Sequence, residues 1–439
     1  MTISRRNVLK SASLASLGAA TAATLSSAVL RATPPDPSAQ ENPPASPLPP
    51  AFASLKPLGD RVQPIRPEEY QQRVAHAQKL MTDAKPPFQA LYITPGTSLF
   101  YFAGIRWWPS ERILAFLVPR QGDPFLVCPA FEEGRLREQL HWPIEIRTWQ
   151  EDDSPFAVAA KGLADRGVTQ GQVGVEETTR YTFFDRMRLA APSLNFVSAD
   201  PITIGCRAQK SPRELEFMRL ACAATFDVYK ALFASLKEGM TQRQVGGLLE
   251  QGFEKMGLQG GALVLFGPSA ALPHGTREEQ ILREGMGVLI DGGTQIEGYP
   301  SDITRTGVLG KPTEKLQRAF EIVRGAQDAA LAAAVAGHEC GSVDDAARKV
   351  ITDAGFGPDY KYFTHRLGHG IGLDEHEWPY LVRGNKTILK PNMTFSNEPG
   401  IYVVGEYGLR CEDDMVIAES GPAQLLTAGF QPSLEKPIA

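Results

Sequence analysis

Residues 288–307 read VLIDGGTQIEGYPSDITRTG and residues 394–414 read TFSNEPGIYVVGEYGLRCEDD, and together they decide how the second half of the chain folds. In the first, the apolar run Val288–Ile290 delivers Asp291, glycines turn the chain, and Asp302 follows eleven positions later. That spacing predicts a hairpin presenting two carboxylates inward. In the second, a strand delivers Glu398, a Pro-Gly and a Gly-rich turn reverse the chain, and the return strand delivers Glu412. The second hairpin mirrors the first.

Between them, residues 364–379 read THRLGHGIGLDEHEWP, which concentrates His365, His369 and His376 although the whole chain holds only 7 histidines. Four carboxylates brought together carry about four negative charges. At about 4 Å and an effective dielectric near 20, each pair repels by about 4 kcal/mol. Unless cations neutralise them, some must protonate or move apart. Two divalent ions carry the matching charge. Oxygen donors with a single imidazole suit manganese, cobalt or zinc, with manganese the first choice, and a bridging carboxylate holds paired ions about 3.5–4 Å apart.

At these residues the chain resembles the M24 metallopeptidases, the Xaa-Pro aminopeptidases and Xaa-Pro dipeptidases (prolidases). Ordered motifs carry the likeness from about residue 204 to the C-terminus, and residues 60–200 more faintly resemble that family's creatinase-type N-terminal domain. The resemblance implies a pita-bread catalytic domain with two metal ions held by Asp291, Asp302, His369, Glu398 and Glu412. Asp302 and Glu412 would bridge both. It also places His274, in ALPHG, and His376, in DEHEWP, on substrate-binding and proton-handling histidines, with His365 as a further site histidine and Arg410 as the arginine before the last ligand. Glu398 would serve as general base. The activity implied is hydrolysis, by metal-activated water, of the bond between an N-terminal residue and proline in small proline-containing peptides, as an aminopeptidase or a dipeptidase. In similar Xaa-Pro enzymes the N-terminal domain of a homodimer reaches the partner's cleft, and residues 104–112, GIRWWPSER, read either as such a segment or as core plus a contact between the domains of one chain. Gly285-Met286 stands where family members commonly have Gly-Asp. Creatinase and binding modules of this fold have lost the metals, and a lyase branch cleaves dimethylsulfoniopropionate. All five ligands stand here, which favours the hydrolase.

With 439 residues, 43% hydrophobic and 22% charged, the chain has room for two domains. A net charge of −5 gives no basic footprint for nucleic acid, and no internal apolar run is long enough to span a bilayer. Residues 1–32 contain Arg5-Arg6 ahead of an Ala/Ser-rich apolar stretch and resemble a twin-arginine export signal, which places the protein in the periplasm or outside the cell. Residues 33–59 are proline-rich and are expected to form a disordered linker. The 5 cysteines show no CxxC spacing; their odd number leaves at least one free unless chains cross-link, and most read as small buried apolar residues.

From 60 to 200, a helix opened by Pro67 and its two following acids precedes the apolar strands ALYIT, ILAFLVP, PFLVC and QVGVEE, with amphipathic helices between them. An α/β domain follows from that alternation. From 201 to 439, Ser211-Pro212-Arg213-Glu214 and Thr241 with Gln244 each spell a capped helix start ahead of the first hairpin. A long Ala-rich helix from Glu314 and one capped near Ser342 precede the second. Helix-helix-hairpin repeated twice is an α+β domain with duplicated halves.

Overall fold

The structure, a computed structural model, describes residues 47–438. The proposed export signal and residues 33–46 of the proposed linker lie outside them.

The N-terminal domain is a six-stranded sheet in the order β4-β3-β2-β1-β5-β6. Its strands are β1 (Phe88–Ile93), β2 (Ala115–Pro119), β3 (Phe125–Pro129), β4 (Glu145–Trp149), β5 (Gly171–Val175) and β6 (Leu194–Ser198). Strands β1, β5 and β6 run parallel, whereas β2 pairs antiparallel with both neighbours. Every residue of β2 and β3 is buried, because helices cover both faces. Helices α1 (Pro67–Asp83), α2 (Thr97–Ala103) and α6 (Asp200–Arg207) bury Val74, Leu99, Phe102 and Ile202 against one face. Helices α4 (Pro155–Ala164) and α5 (Tyr181–Ala190) bury Phe156 and Met187 against the other. The stretch PAFEEGRLREQL yields only one regular turn, α3 (Glu133–Arg137).

The C-terminal domain repeats its plan. Helices α7 (Pro212–Phe233) and α8 (Gln242–Lys255) precede a sheet of β7 (Gly260–Phe266), β8 (Gly287–Ile296), β9 (Tyr299–Pro300) and β10 (Ile303–Val308), with β8 central. Helices α9 (Glu314–Ala333) and α10 (Cys340–Asp353) precede β11 (Gly368–Gly370), β12 (Glu377–Leu381), β13 (Thr394–Asn397), β14 (Gly400–Val403), β15 (Tyr407–Arg410), β16 (Asp413–Val416) and β17 (Gln424–Leu425). Both capping boxes form, with Ser211 accepting from Glu214 N and Thr241 from Gln244 N. The second hairpin is one long ribbon broken at matching points: β13 pairs with β16 and β14 with β15. Glu398 and Glu412 sit at those two breaks, where the chain leaves the ladder and carboxylates can turn inward.

Two domain boundaries need correction. The linker does not extend to residue 59: Phe52, Leu55 and Leu58 are buried in the core formed by α7, α8 and β8. A Cβ added at Gly252 would stand 2.8 Å from the Phe52 ring, and Lys255 Nζ donates to Phe52 O at 2.8 Å. The proline-rich composition masked three apolar anchors at three-residue spacing, which fill a slot between helices. Residues 201–207 likewise belong to the N-terminal domain, since Ile202 and Cys206 on α6 pack into its core. All five cysteines are buried and free. No helix among the described residues is long and apolar enough to cross a membrane.

Candidate metal centre and active site

The structure brings the five expected ligands together from three stretches of chain, the two hairpins and β11. Asp291 lies in mid-β8 and faces Thr304 across the ladder with β10. Asp302 precedes β10, its backbone N–H held by Asp414 Oδ2 at 3.0 Å. His369 lies in β11, Glu398 follows β13, and Glu412 separates β15 from β16. Donor atoms of Asp291, Asp302 and Glu412 fall within 4.8 Å of one another, and so do those of His369, Glu398 and Glu412. Glu412 is common to both triads. A third grouping joins Asp302 and His369 with His376.

Three of the five donors, Asp291, Glu412 and His369, are oriented by hydrogen bonds to their side chains. The Thr304 hydroxyl sits between two carboxylates, 2.7 Å from Asp291 Oδ1 and 2.6 Å from Glu412 Oε2, and accepts from Arg410 Nε at 3.1 Å. Arg410 Nη2 is paired with Asp291 Oδ2, and its Nη1 donates to the Tyr402 hydroxyl at 3.0 Å. Burial works against charge on Asp291, but the Arg410 guanidinium and the Thr304 hydroxyl hold its carboxyl below the usual range. Arg410 is only 3% exposed, so its fork is committed to Asp291, Thr304 and Tyr402. The main chain of Glu412 is fixed from both sides: its N–H donates to Thr304 O at 3.0 Å and its carbonyl accepts from Arg305 Nη1 at 2.7 Å.

The His369 Nδ1 lies 3.1 Å from Gly370 O, an arrangement that leaves Nε2 as the donor atom facing Asp302 Oδ2 at 3.5 Å and Glu398 Oε1 at 3.6 Å. Burial opposes a charge on this ring, yet Asp302 and Glu398 raise it to about 9. Burial pushes Glu398 up to about 7 and, with the charges of Asp302, Glu398 and Asp291, carries Glu412 well above the usual carboxylate range. Buried carboxylates that raise one another's proton affinity, beside one imidazole, are a donor set that divalent cations satisfy. The residues present therefore fit a metal centre.

Three further histidines surround this cluster. His376 stacks on His369, with centroids 3.8 Å apart, and burial pushes its ring down to about 4. His365 Nε2 meets the Tyr402 hydroxyl at 2.8 Å, and burial together with Arg410 takes this ring down to about 3. Both rings are neutral near pH 7. His274 lies on an exposed loop after β7, close enough to act electrostatically on both. A cavity of about 440 Å³ opens beside Asp291 along β7 and β8, lined by Gly261, Leu263, Gly292, Leu373 and Glu375. A Cβ at Gly261 would meet nothing within 4 Å, so the floor of this cleft is bare backbone. Trp378 is 44% exposed beside His376, where both line a smaller pocket of about 50 Å³.

Thr304 and Tyr402 were not singled out from the sequence. Thr304 was within reach, because Asp302 and Thr304 are two apart on a strand and so share one face. Tyr402 had no local signal: its partners Arg410 and His365 meet it only through tertiary folding.

Comparison with known proteins agrees with this geometry. Residues 216–419 match the model of metallopeptidase family M24, and residues 73–209 match the creatinase/prolidase N-terminal domain. The putative dipeptidase YkvY of Bacillus subtilis is 32% identical over 76% of this chain and 93% of its own length. The Xaa-Pro dipeptidase of Lactobacillus delbrueckii subsp. lactis is 33% identical over 75% of this chain and 90% of its own. Among solved structures, dipeptidase PepE from Mycobacterium ulcerans superposes with a TM-score of 0.77 at 32% identity, covering 84% of this chain and 98% of that one. A prolidase from Thermococcus sibiricus gives 0.73 at 28% identity, over 82% and 97%. The chain belongs to metallopeptidase family M24, with a creatinase-type N-terminal domain ahead of a pita-bread catalytic domain. It is a metal-dependent hydrolase of peptides.

Proposed function

We propose that this protein is a dinuclear-metal exopeptidase that hydrolyses the bond between an N-terminal residue and proline, in dipeptides or longer peptides. The observation carrying this reading is the sharing of Glu412 by the two donor triads, a layout suited to two adjacent ions. The names of the relatives supply the substrate class. Asp291, Asp302, His369, Glu398 and Glu412 would hold the ions, and manganese suits this oxygen-rich set. When bound, such ions supply Lewis acidity toward the scissile carbonyl and toward water.

The chain's own residues account for the remaining steps. The bond before proline has a tertiary amide nitrogen without N–H, so a site that does not depend on that proton has an advantage. Glu398 takes a proton from the attacking water at a carboxylate oxygen and returns it to the proline nitrogen as the C–N bond breaks. The neutral His376 ring, together with His274, donates hydrogen bonds to the developing oxyanion. Arg410 and Thr304 keep Asp291 and Glu412 in register. We further propose export through Arg5-Arg6 to the periplasm or beyond, and assembly as a homodimer.

The experiment is a parallel assay of manganese-loaded protein on Xaa-Pro, Xaa-Pro-Xaa and dimethylsulfoniopropionate. Cleavage of either peptide class is expected. Turnover of the sulfonium compound alone would replace the peptidase reading with the lyase one.

A further inference from the structure

His376 owes its place to its neighbours. Neither ring nitrogen has a hydrogen-bond partner among the described residues; the ring only stacks on His369 at 3.8 Å. Its backbone is pinned on either side instead. Two positions before it, Asp374 Oδ2 accepts from Arg207 Nη2 at 2.5 Å, and Asp374 Oδ1 accepts from the Thr97 hydroxyl. One position after it, Glu377 Oε2 accepts from the same Arg207 Nη2 at 2.5 Å, and Glu377 Oε1 from Lys210 Nζ at 2.5 Å. Two cations thus balance two carboxylates. The side chains of Lys210 and Glu377 are 3% and 7% exposed, and that of Arg207 is 14% exposed. The loop closes tightly over this cluster: a Cβ at Gly372 would lie 2.3 Å from Glu377 Oε1.

The anchors come from outside the catalytic hairpins. Thr97 opens α2, Arg207 ends α6, and Lys210 lies in the connection to α7. We propose that Arg207, aided by Lys210 and Thr97, is a positioning residue that fixes His376 for catalysis, so that the N-terminal domain completes the active site of its own chain. The inference rests on the catalytic role of His376 in the function proposed above. Displacing a catalytic group by about 1 Å costs up to about a hundredfold in rate, the scale expected when this anchor is cut.

A double-mutant cycle tests it, using full-length, metal-loaded protein and an Xaa-Pro dipeptide. Arg207→Met should lower kcat by about tenfold to a hundredfold with KM and metal content within about twofold, and Arg207→Lys should restore part of the rate. In a His376→Ala background the same substitution should change kcat by less than about twofold, because both variants remove one function. Full additivity, or no effect of Arg207→Met in the parent, would overturn the proposal. Should Arg207→Met not fold, Thr97→Val releases Asp374 alone, and its several-fold effect must likewise vanish without His376. Histidine-selective NMR on zinc-loaded protein, diamagnetic where manganese would broaden nearby signals away, gives a readout independent of turnover: the His376 ring signals should move in Arg207→Met, and unmoved signals refute the anchoring. A His376→Ala protein with the parent rate would instead defeat the catalytic reading of His376 while the NMR result stands by itself.

Discussion

Thr304 has one hydroxyl proton and two carboxylates competing for it, while Arg410 Nε feeds its lone pair. Removing that hydroxyl leaves the shape of the side chain and takes away what spaces Asp291 from Glu412. Thr304→Val should therefore lower affinity for divalent ions by about tenfold to a hundredfold, read by competition with a chromogenic chelator. Unchanged affinity would show that the hydroxyl orients nothing. Glu398→Gln should reduce turnover by at least about a hundredfold while the fold persists, with metal content measured alongside. Proton affinities at the centre also set a sign. His369 at about 9 and Glu398 at about 7 hold protons near neutrality, burial and the neighbouring carboxylates raise Glu412 well above its ordinary range, and ions must displace such protons. Loading should release protons, and apparent ion affinity should rise as pH climbs from about 6 to 8. A flat profile over that range would contradict these proton affinities. The convergence of Asp291, Asp302, His369, Glu398 and Glu412 was legible because each sits in a short, sharply bounded motif. Thr304 and Tyr402 escaped notice because polar residues in strands are common and nothing local marks these two.

The ribbon carrying Glu398 and Glu412 is held in place by a buried pair on its far side. Arg305 points away from Thr304 on β10, pairs with Asp413 at 2.6 Å, and also grips the Glu412 carbonyl. Arg305 is 1% exposed and Asp413 fully buried. Arg305→Leu leaves that carboxylate without its cation and should cost about 3–5 kcal/mol, measured by denaturant unfolding, with Arg305→Leu/Asp413→Leu recovering part of the loss. The double variant being no better than the single would show that packing, not the stranded charge, sets the cost. Helix and strand identities in this domain followed from caps and apolar runs, as at Ser211 and Thr241. The helix after Val335 begins at Cys340, ahead of the Ser342 start read from the sequence, because the Glu339 backbone there bridges to Ile388 far along the chain. Such a partner leaves no local trace.

For the whole molecule, Phe52 shows how composition misleads. Its ring is fully buried although it sits among prolines, and Phe52→Ala should destabilise the protein by about 3–5 kcal/mol; a variant of parental stability would mean the segment is detachable. The two-domain plan and duplicated halves were readable in the order of elements, whereas the exact boundaries depended on which core Phe52 and Ile202 enter. Trp107 packs partly under Arg135 while Trp108 is 83% exposed, consistent with adjacent side chains pointing apart. That exposed ring supports the proposed homodimer, and replacing both tryptophans by alanine should raise KM or alter the preference between dipeptides and longer peptides. A stable variant with unaltered preference would remove the partner-cleft role. The central claim concerns the ions, and the most direct measurement is a titration of metal-stripped protein with manganese, following Xaa-Pro cleavage and bound metal together. Activity should be absent at the start and reach its plateau at about two ions per chain. Full activity in protein shown by elemental analysis to hold no metal would contradict the account.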